Sequence, residues 1–360
     1  MAGFVLEGIG IKGISCAVPK KVFDNTEFYD KFGKEAVDST IKMTGVRYSH
    51  RAPDEQTASD LCFVAARNLI EKKGIDPAEI GAVVFISQTP DYRLPATACV
   101  LHKRLGLSKN CMAFDVNLGC SGWVYGVNIV GSLLKTGAID KALLLFGDTS
   151  VRTVSPEDRG AVMLFGEGGS ATLLAKDEND SISGELMTDG EGFKSIIMPA
   201  GGFRNPNAST ERVEQPDGVV RSAYDGYMNG TDVFSFTITQ VPKLIKNFSE
   251  KNGKTPDQYD ALILHQANLY ILQQISRKTK VPMEKIPVSL DRYGNTSGTS
   301  IPITLCDAYG DKSNENLHLL LSGFGIGLSW GVVEANINSD DIFPIVVTNE
   351  IFTEGTEVFD

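Results

Sequence analysis

Apolar runs of strand length alternate with amphipathic stretches of helix length through most of this chain, and that alternation limits it to an α/β architecture. The pattern predicts a helix over residues 55–73 closed by Gly74, a buried strand over 82–88, a helix over 97–105, and strands over 111–117 and 141–147 on either side of a long helix. A further strand is expected over 170–176. A polar stretch rich in Gly, Pro and Asn then runs to about residue 226 and reads as loops and short elements. The pattern resumes with helices over 232–252 and 268–280, a strand over 261–265, a helix over 299–309, and strands over 317–324 and 329–336. Both parts follow one crude plan without a residue-level repeat, so any internal duplication rests on pattern alone. The acidic stretch from about residue 338 reads as a tail or a docked extension.

With 360 residues the chain can bury a large core. Its 22% charged content is that of an ordinary soluble protein, and no apolar run reaches the length of a membrane span. A net charge of −11 excludes a broad nucleic-acid-binding face. The six cysteines form no CxxC pair, and the N-terminus lacks the build of a secretory signal, so reduced thiols in the cytoplasm are expected. The four histidines form no metal-ligand cluster.

Three positions bear chemistry. Cys120 sits where the apolar run Met112–Val116 gives way, through small residues, to an amphipathic helix. A thiol at a helix N-terminus feels the positive end of the dipole, which favours thiolate, and Gly119, Ser121 and Gly122 leave room for a substrate. His265 ends the run ALIL at the carboxyl end of an expected strand, where α/β proteins usually place reactive groups. Asn295 lies in a polar turn feeding a helix. Taken singly, each has an ordinary structural reading: a small buried hydrophobe, a core histidine, a turn former. The glycine-rich GFGIGLSWG (323–331) reads either as a hairpin or as a backbone N–H aimed at a developing oxyanion, while FGEGGSATLL (165–174) reads as structure.

Together the motifs TGVR (44–47), the Cys120 segment, SPEDRG (155–160), FGEGGSA, HQAN (265–268), GNTSG (294–298) and FGIGLSWG resemble those of the β-ketoacyl-acyl-carrier-protein synthase III family from about residue 8 to 336. The resemblance implies a thiolase-like fold of two pseudo-duplicated halves, 1–176 and 177–338, in a five-layered α/β/α/β/α arrangement, followed by an extension at 339–360. It implies decarboxylative condensation of an acyl thioester, on coenzyme A or a carrier protein, with malonyl-acyl-carrier-protein. Cys120 would be the acylated nucleophile. His265 and Asn295 would hold the malonyl thioester carbonyl, and the backbone N–H groups of Cys120 and Ile326 would form the other oxyanion hole. No metal or redox cofactor is implied, no nucleic acid or membrane partner is expected, and a homodimer is.

Binding roles implied on the same basis fall to Thr44, Arg159, Gly160 and Phe165 on the nucleotide side, and to Met228, Gly230, Phe234, Ala267 and Asn268 along the pantetheine tunnel. Leu94 would border the acyl pocket of the opposite subunit, and Arg277 and Lys278 would offer a patch to an acidic carrier protein. Four positions depart from the family pattern. Ser39 and Met43 stand where many members carry the Trp and Arg that grip adenine, Tyr270 stands where a basic residue is common, and Ile326 replaces a glycine. These departures suggest a specialised donor, from a polyketide or surface-polysaccharide pathway for example. The alternative on the same fold is an acyltransferase that moves the acyl group to an alcohol or amine without decarboxylation. A thiolase is disfavoured because Cys306 lies in a helix pattern, a hydroxymethylglutaryl-type synthase because Glu79 and Glu167 lie in no matching motif, and a non-catalytic partner subunit because Cys120 is present.

Overall fold

The computed structural model describes residues 2–354. In chain order its main elements are β1 (Ala2–Pro19), α1 (Lys34–Thr44), α2 (Ala58–Lys73), β2 (Ile80–Ile86), α3 (Thr97–Arg104), β3 (Met112–Val116), α4 (Gly122–Lys135), β4 (Lys141–Asp148) and β5 (Gly168–Thr188). The second part continues with α5 (Gly230–Lys251), β6 (Ala261–Leu264), α6 (Leu269–Thr279), α7 (Ser300–Tyr309), β7 (Asn316–Gly325), β8 (Ser329–Asn338) and β9 (Val346–Thr348). Local chemistry sets the ends. The helix expected from residue 55 begins at Ala58 because Thr57 and Asp60 form a capping box, and it stops at Gly74, whose φ of 61° suits a residue without Cβ.

Nine strands join in one sheet with the path β6-β7-β8-β5-β4-β2-β3, and β1 pairs with β5 and β9. Pairs β2–β3, β2–β4 and β6–β7 are parallel, whereas β4–β5, β5–β8 and β7–β8 are antiparallel. The strand expected to end near residue 176 is corrected here: it runs on to Thr188, so the polar loop region begins 12 residues later and the 176/177 division falls inside β5. Its first part, residues 168–175, pairs with β4, and its last, 182–188, pairs with β8. β1 pairs with β5 on both sides of the Asp/Glu/Asn-rich middle, at Lys176 and at Ser181, and the register shifts between them, so the strand bulges there and continues.

Strand alternation divides the side chains between cores. Ala142, Leu144 and Phe146 of β4 join Ile263 of β6 and Leu319 of β7 around Trp123 of α4 and Ile303 of α7. The opposite faces differ: Leu143 and Leu145 pack on α2 and α3, and Leu262 and Leu264 on α5 and α6. The sheet therefore folds over α4 and α7, and the order across the molecule is helix, one part of the sheet, helix, the other part of the sheet, helix. The extension is docked. β9 runs parallel to β1, and the Phe352 N–H donates to Asp60 Oδ1 at 3.0 Å beneath the Arg104 guanidinium; residues 355–360 lie outside the described residues.

Candidate active site

Four strand ends meet at the centre. β3 ends at Val116, and the chain turns through Leu118–Ser121, closed by a 2.7 Å bond from the Gly122 N–H to the Gly119 carbonyl, before α4 begins. Cys120 lies in that turn. Gly325, the last residue of β7, presses against it: a Cβ there would stand 2.7 Å from Cys120 Cβ and 3.1 Å from Sγ, so no side chain fits. The backbone N–H groups of Cys120 and Ile326 both favour the charged sulfur. The Ile326 side chain stands over Gly119, leaving its backbone free to serve the turn.

The dipole expectation for the thiol is corrected. Burial, reinforced by the Asp148 carboxyl, pushes Cys120 up to about 12, outweighing the backbone donors and the Ser297 hydroxyl. The resting group is a neutral thiol, so attack requires a partner to hold its proton.

His265 continues β6, tied by its N–H to the Ser322 carbonyl of β7 at 2.8 Å. It is 2% exposed, and burial drives its pKa down to about 4, so the ring is neutral at neutral pH. Nδ1 has two neighbours, Ser300 Oγ at 2.8 Å and the Ser297 carbonyl at 3.0 Å. Ser300 Oγ accepts from the Gln266 N–H and so has its own proton to give, whereas a carbonyl can only accept. The two neighbours therefore favour opposite ring tautomers, and the Ser300 contact is the one that places a proton on Nε2.

Asn295 is buried where the two halves touch. Its N–H donates to the Leu164 carbonyl, and its carbonyl accepts from the Gly166 N–H. Oδ1 accepts from the Ser297 N–H at 3.0 Å, which orients the amide; Nδ2 donates one proton to the Ala267 carbonyl at 3.3 Å and keeps another. Ser297 links the whole floor. Held at φ 56°, it offers its N–H to Asn295, its carbonyl to His265, and its Oγ to Cys120 Sγ at 4.0 Å. Such a backbone is uncommon for a residue with a Cβ and persists where surroundings enforce it. The three residues singled out from sequence thus converge on one serine.

Comparison with known proteins follows the same outline. Residues 114–190 match 3-oxoacyl-[acyl-carrier-protein (ACP)] synthase III, and residues 249–337 match its C-terminal region. The chain is 32% identical over 324 residues to beta-ketoacyl-[acyl-carrier-protein] synthase III of Caldanaerobacter subterraneus subsp. tengcongensis, covering 89% of this chain and 95% of that one. The chain belongs to the 3-oxoacyl-[acyl-carrier-protein] synthase III family. The Clostridioides difficile synthase III is 33% identical over 89% of this chain and 96% of its own. The solved 3-oxoacyl-(acyl-carrier protein) synthase of Burkholderia xenovorans superposes with a TM-score of 0.91 at 36% identity, covering 96% of this chain and 99% of that one. The thiolase fold expected from sequence is the fold observed.

The other expected synthase III positions lie on several separate elements. Arg159 and Gly160 are the exposed start of a short turn of helix, Met228 precedes α5 and Gly230 begins it, and Arg277 and Lys278 are exposed in the last turn of α6. Phe234 stacks on Tyr270 with centroids 5.5 Å apart. Phe165 bridges to Asn295, and the Ala267 carbonyl holds the Asn295 amide. Two side chains are engaged locally. Thr44 Oγ1 donates to the Thr40 carbonyl at 2.8 Å, and Asn268 Oδ1 caps α6 through the Ile271 N–H at 2.8 Å. Leu94 is 82% exposed. Glu167, in the glycine-rich 165–174 segment, accepts from the backbone N–H groups of Ala52 and Val151, in keeping with a structural reading.

Sequence reasoning missed Ser297, Ser300 and Asp148. A signal existed for each: both serines lie within or just beyond GNTSG, and Asp148 ends an apolar strand as His265 does.

Proposed function

We propose that this chain joins an acyl thioester to malonyl-acyl-carrier-protein by decarboxylative condensation, with Cys120 as the acyl carrier. The supporting observation is the shared floor, in which Ser297 touches Cys120, His265 and Asn295 together. The acyl group moves from its donor sulfur to Cys120 Sγ, and the donor leaves as a thiol. Both backbone N–H groups that face the sulfur, those of Cys120 and Ile326, suit the oxyanion of that tetrahedral step. Malonyl carrier protein then enters. Loss of CO₂ puts negative charge on the thioester oxygen, where the free Asn295 Nδ2 proton and the Nε2 proton of neutral His265 can both donate. The resulting carbanion attacks the acyl-cysteine carbonyl and releases a β-ketoacyl thioester with Cys120 restored. No electron changes hands in this sequence, so side chains, backbone and substrates suffice.

Intact Asn295 and His265 geometry favours condensation over simple acyl transfer to an alcohol or amine, which has no enolate to stabilise. A homodimer would cover Leu94 and place it beside the partner's acyl pocket; whether the donor rides on coenzyme A or a carrier is read from the donor screen below. A cytoplasmic setting suits six unpaired thiols, and no helix among the described residues is long and apolar enough to cross a membrane. The test is intact-mass spectrometry after mixing the chain with acyl-CoA and acyl-carrier donors, followed by malonyl carrier protein. A single acyl adduct on wild type, absent from Cys120→Ala and discharged with CO₂ release, is expected. An adduct persisting in the alanine variant would remove Cys120 from its role.

A further inference from the structure

Ile326 sits in the tight turn between β7 and β8, and its direction is fixed from both sides. Before it, Gly325 presses on Cys120 with no room for a Cβ. After it, the Ile326 carbonyl accepts from Ser329 Oγ at 2.6 Å, and Ser329 Oγ lies 2.6 Å from the hydroxyl of Ser121, the residue that follows Cys120. The Leu328 N–H donates to the Asp189 carbonyl at 2.9 Å, and the Leu328 carbonyl accepts from the Asp189 N–H at 2.8 Å. A turn held this way aims the Ile326 side chain over Gly119, where a Cβ would stand 3.1 Å from Ile326 Cδ1. Gln88 reaches the same carbon from beyond the end of β2. Its backbone is anchored, since the Ser87 N–H donates to the Val116 carbonyl at 3.2 Å and the Gln88 N–H to Asp148 Oδ1 at 2.8 Å. Its amide lies over Gly119, 2.5 Å from Oε1 to where a Cβ would be. One branched aliphatic chain and one amide thus cover the residue immediately before the half-buried Cys120.

We propose that Ile326 and Gln88 form a wall beside the Cys120 sulfur that restricts the acyl group it carries to a short chain. This rests on Cys120 being the acyl carrier. The sulfur is already bounded by Gly325, where a Cβ would stand 3.1 Å from Sγ, and by Ser297 Oγ at 4.0 Å. The wall over Gly119 closes a further side, and an open side must admit the thioester donor. A long acyl chain then has room only where the wall yields.

The two members yield unequally. The branch at Cβ holds the Ile326 side chain stiff at χ1, and the turn beneath it is pinned. Gln88 is exposed and unbranched, so its amide can swing aside at the cost of some rotamer freedom. Ile326 therefore sets the limit and Gln88 tightens it. A glycine at 326 would supply the same backbone N–H to the sulfur and no wall, so the side chain adds selection without altering the donor.

The experiment treats the chain with methyl, butyl and octyl methanethiosulfonate, which pass an alkylthio group to a thiol and release methanesulfinate, and follows the mass of the peptide bearing Cys120. The quantity read is the octyl-to-methyl rate ratio, which cancels the reactivity of the thiol itself. Ile326→Val deletes only Cδ1 and keeps the branch; it should raise the ratio about tenfold over wild type, and Ile326→Ala further. Gln88→Ala should raise it about threefold. The valine variant carries the test if the alanine variant does not fold. A ratio unchanged or lowered in the folded variants would overturn the proposal, as would a wild-type Cys120 inert to the methyl reagent. Acetyl, butyryl and octanoyl thioesters should rank the same way by intact mass. The methanethiosulfonates need no acyl donor, so a wall seen with them while every thioester fails to acylate wild type would sink the condensing reading alone.

Discussion

The floor of the site and its mouth are built on opposite terms. At the floor, Cys120, His265, and the pair Asn295 and Ser297 come from three separate segments, yet each is fixed by hydrogen bonds to another segment or by a contact that admits no Cβ. At the mouth, Met43 is 58% exposed and Tyr270 is 46% exposed, and Arg159, Arg277 and Lys278, which would meet a nucleotide or carrier, sit at helix ends facing solvent. A floor constrained from several sides tolerates little change. A mouth held by few contacts can change with the substrate without disturbing the chemistry below. Of the positions expected from sequence to depart from the family pattern, Ser39, Met43 and Tyr270 are all exposed. Ile326, the fourth, meets the floor, and there the group that faces the sulfur is a backbone N–H, which any residue but proline supplies.

The strongest challenge to the floor is removal of an enolate donor. His265→Ala should lower malonyl decarboxylation by about 10²–10³-fold, equivalent to about 3–4 kcal/mol, while acylation of Cys120 continues. Release of CO₂ and the intact mass of the acyl-enzyme separate the two steps, and equal loss of both would show that His265 serves only to hold the turn. The same ring makes folding pH-dependent. Its pKa is about 4 in the folded chain against an ordinary value of 6.5, so the unfolded chain binds the extra proton and stability falls as pH drops through that window. The loss approaches about 3 kcal/mol near the lower end. Urea midpoints at the two ends should therefore differ more for wild type than for His265→Ala.

The floor was legible in the sequence because its chemistry demands fixed residue types. A nucleophile after a strand, a histidine after a strand and an amide in a polar turn each leave a local pattern, and their order along the chain is distinctive. Asp148 escaped notice because an acid at a strand end looks like a solubilising cap; only its bare Oδ2 marks it out. The thiol's protonation was misread because a helix N-terminus is visible in sequence and desolvation is not. Strand β5 was cut short for a related reason: residues 177–180 are polar and look like a loop, and pairing with β1 resumes beyond them at Ser181. The extension at 339–354 could not be placed from its acidity, since the contacts docking it lie on β1, α2 and α3.

Gly325→Ala probes the floor by bulk instead of charge. A methyl 2.7 Å from Cys120 Cβ must displace the nucleophile or the end of β7, and overpacking of this kind costs about 1–3 kcal/mol. A lower Tm together with slower acylation is expected; a normal Tm and normal acylation would mean the two strand ends are looser than their packing implies. Ser300→Ala is gentler. It removes the hydroxyl that can donate to Nδ1 and leaves the Ser297 carbonyl, which can only draw the ring proton to Nδ1. Decarboxylation should fall about tenfold, or about 1.4 kcal/mol, with acylation and Tm little changed. Loss of acylation instead would assign Ser300 to the thiol and not to the imidazole.

The mouth should answer differently. Tyr270 contributes one exposed ring stacked on Phe234, a contact that surface burial values at about 1 kcal/mol or less. Its distance in role from the floor predicts a change in binding alone: Tyr270→Ala should shift KM for the malonyl carrier by about two- to fivefold and leave kcat in place, because a ring that touches carrier equally in ground and transition states affects only uniform binding. If the ring has come to replace a basic residue, Tyr270→Lys should also increase the salt dependence of that KM, since a lysine there would attract an acidic carrier through screened charge whereas an aromatic ring attracts it by contact. A fall in kcat on either substitution would dissolve the division between floor and mouth, for it would show that the rim reaches the reacting atoms through α6 and the Ala267 carbonyl that steadies Asn295.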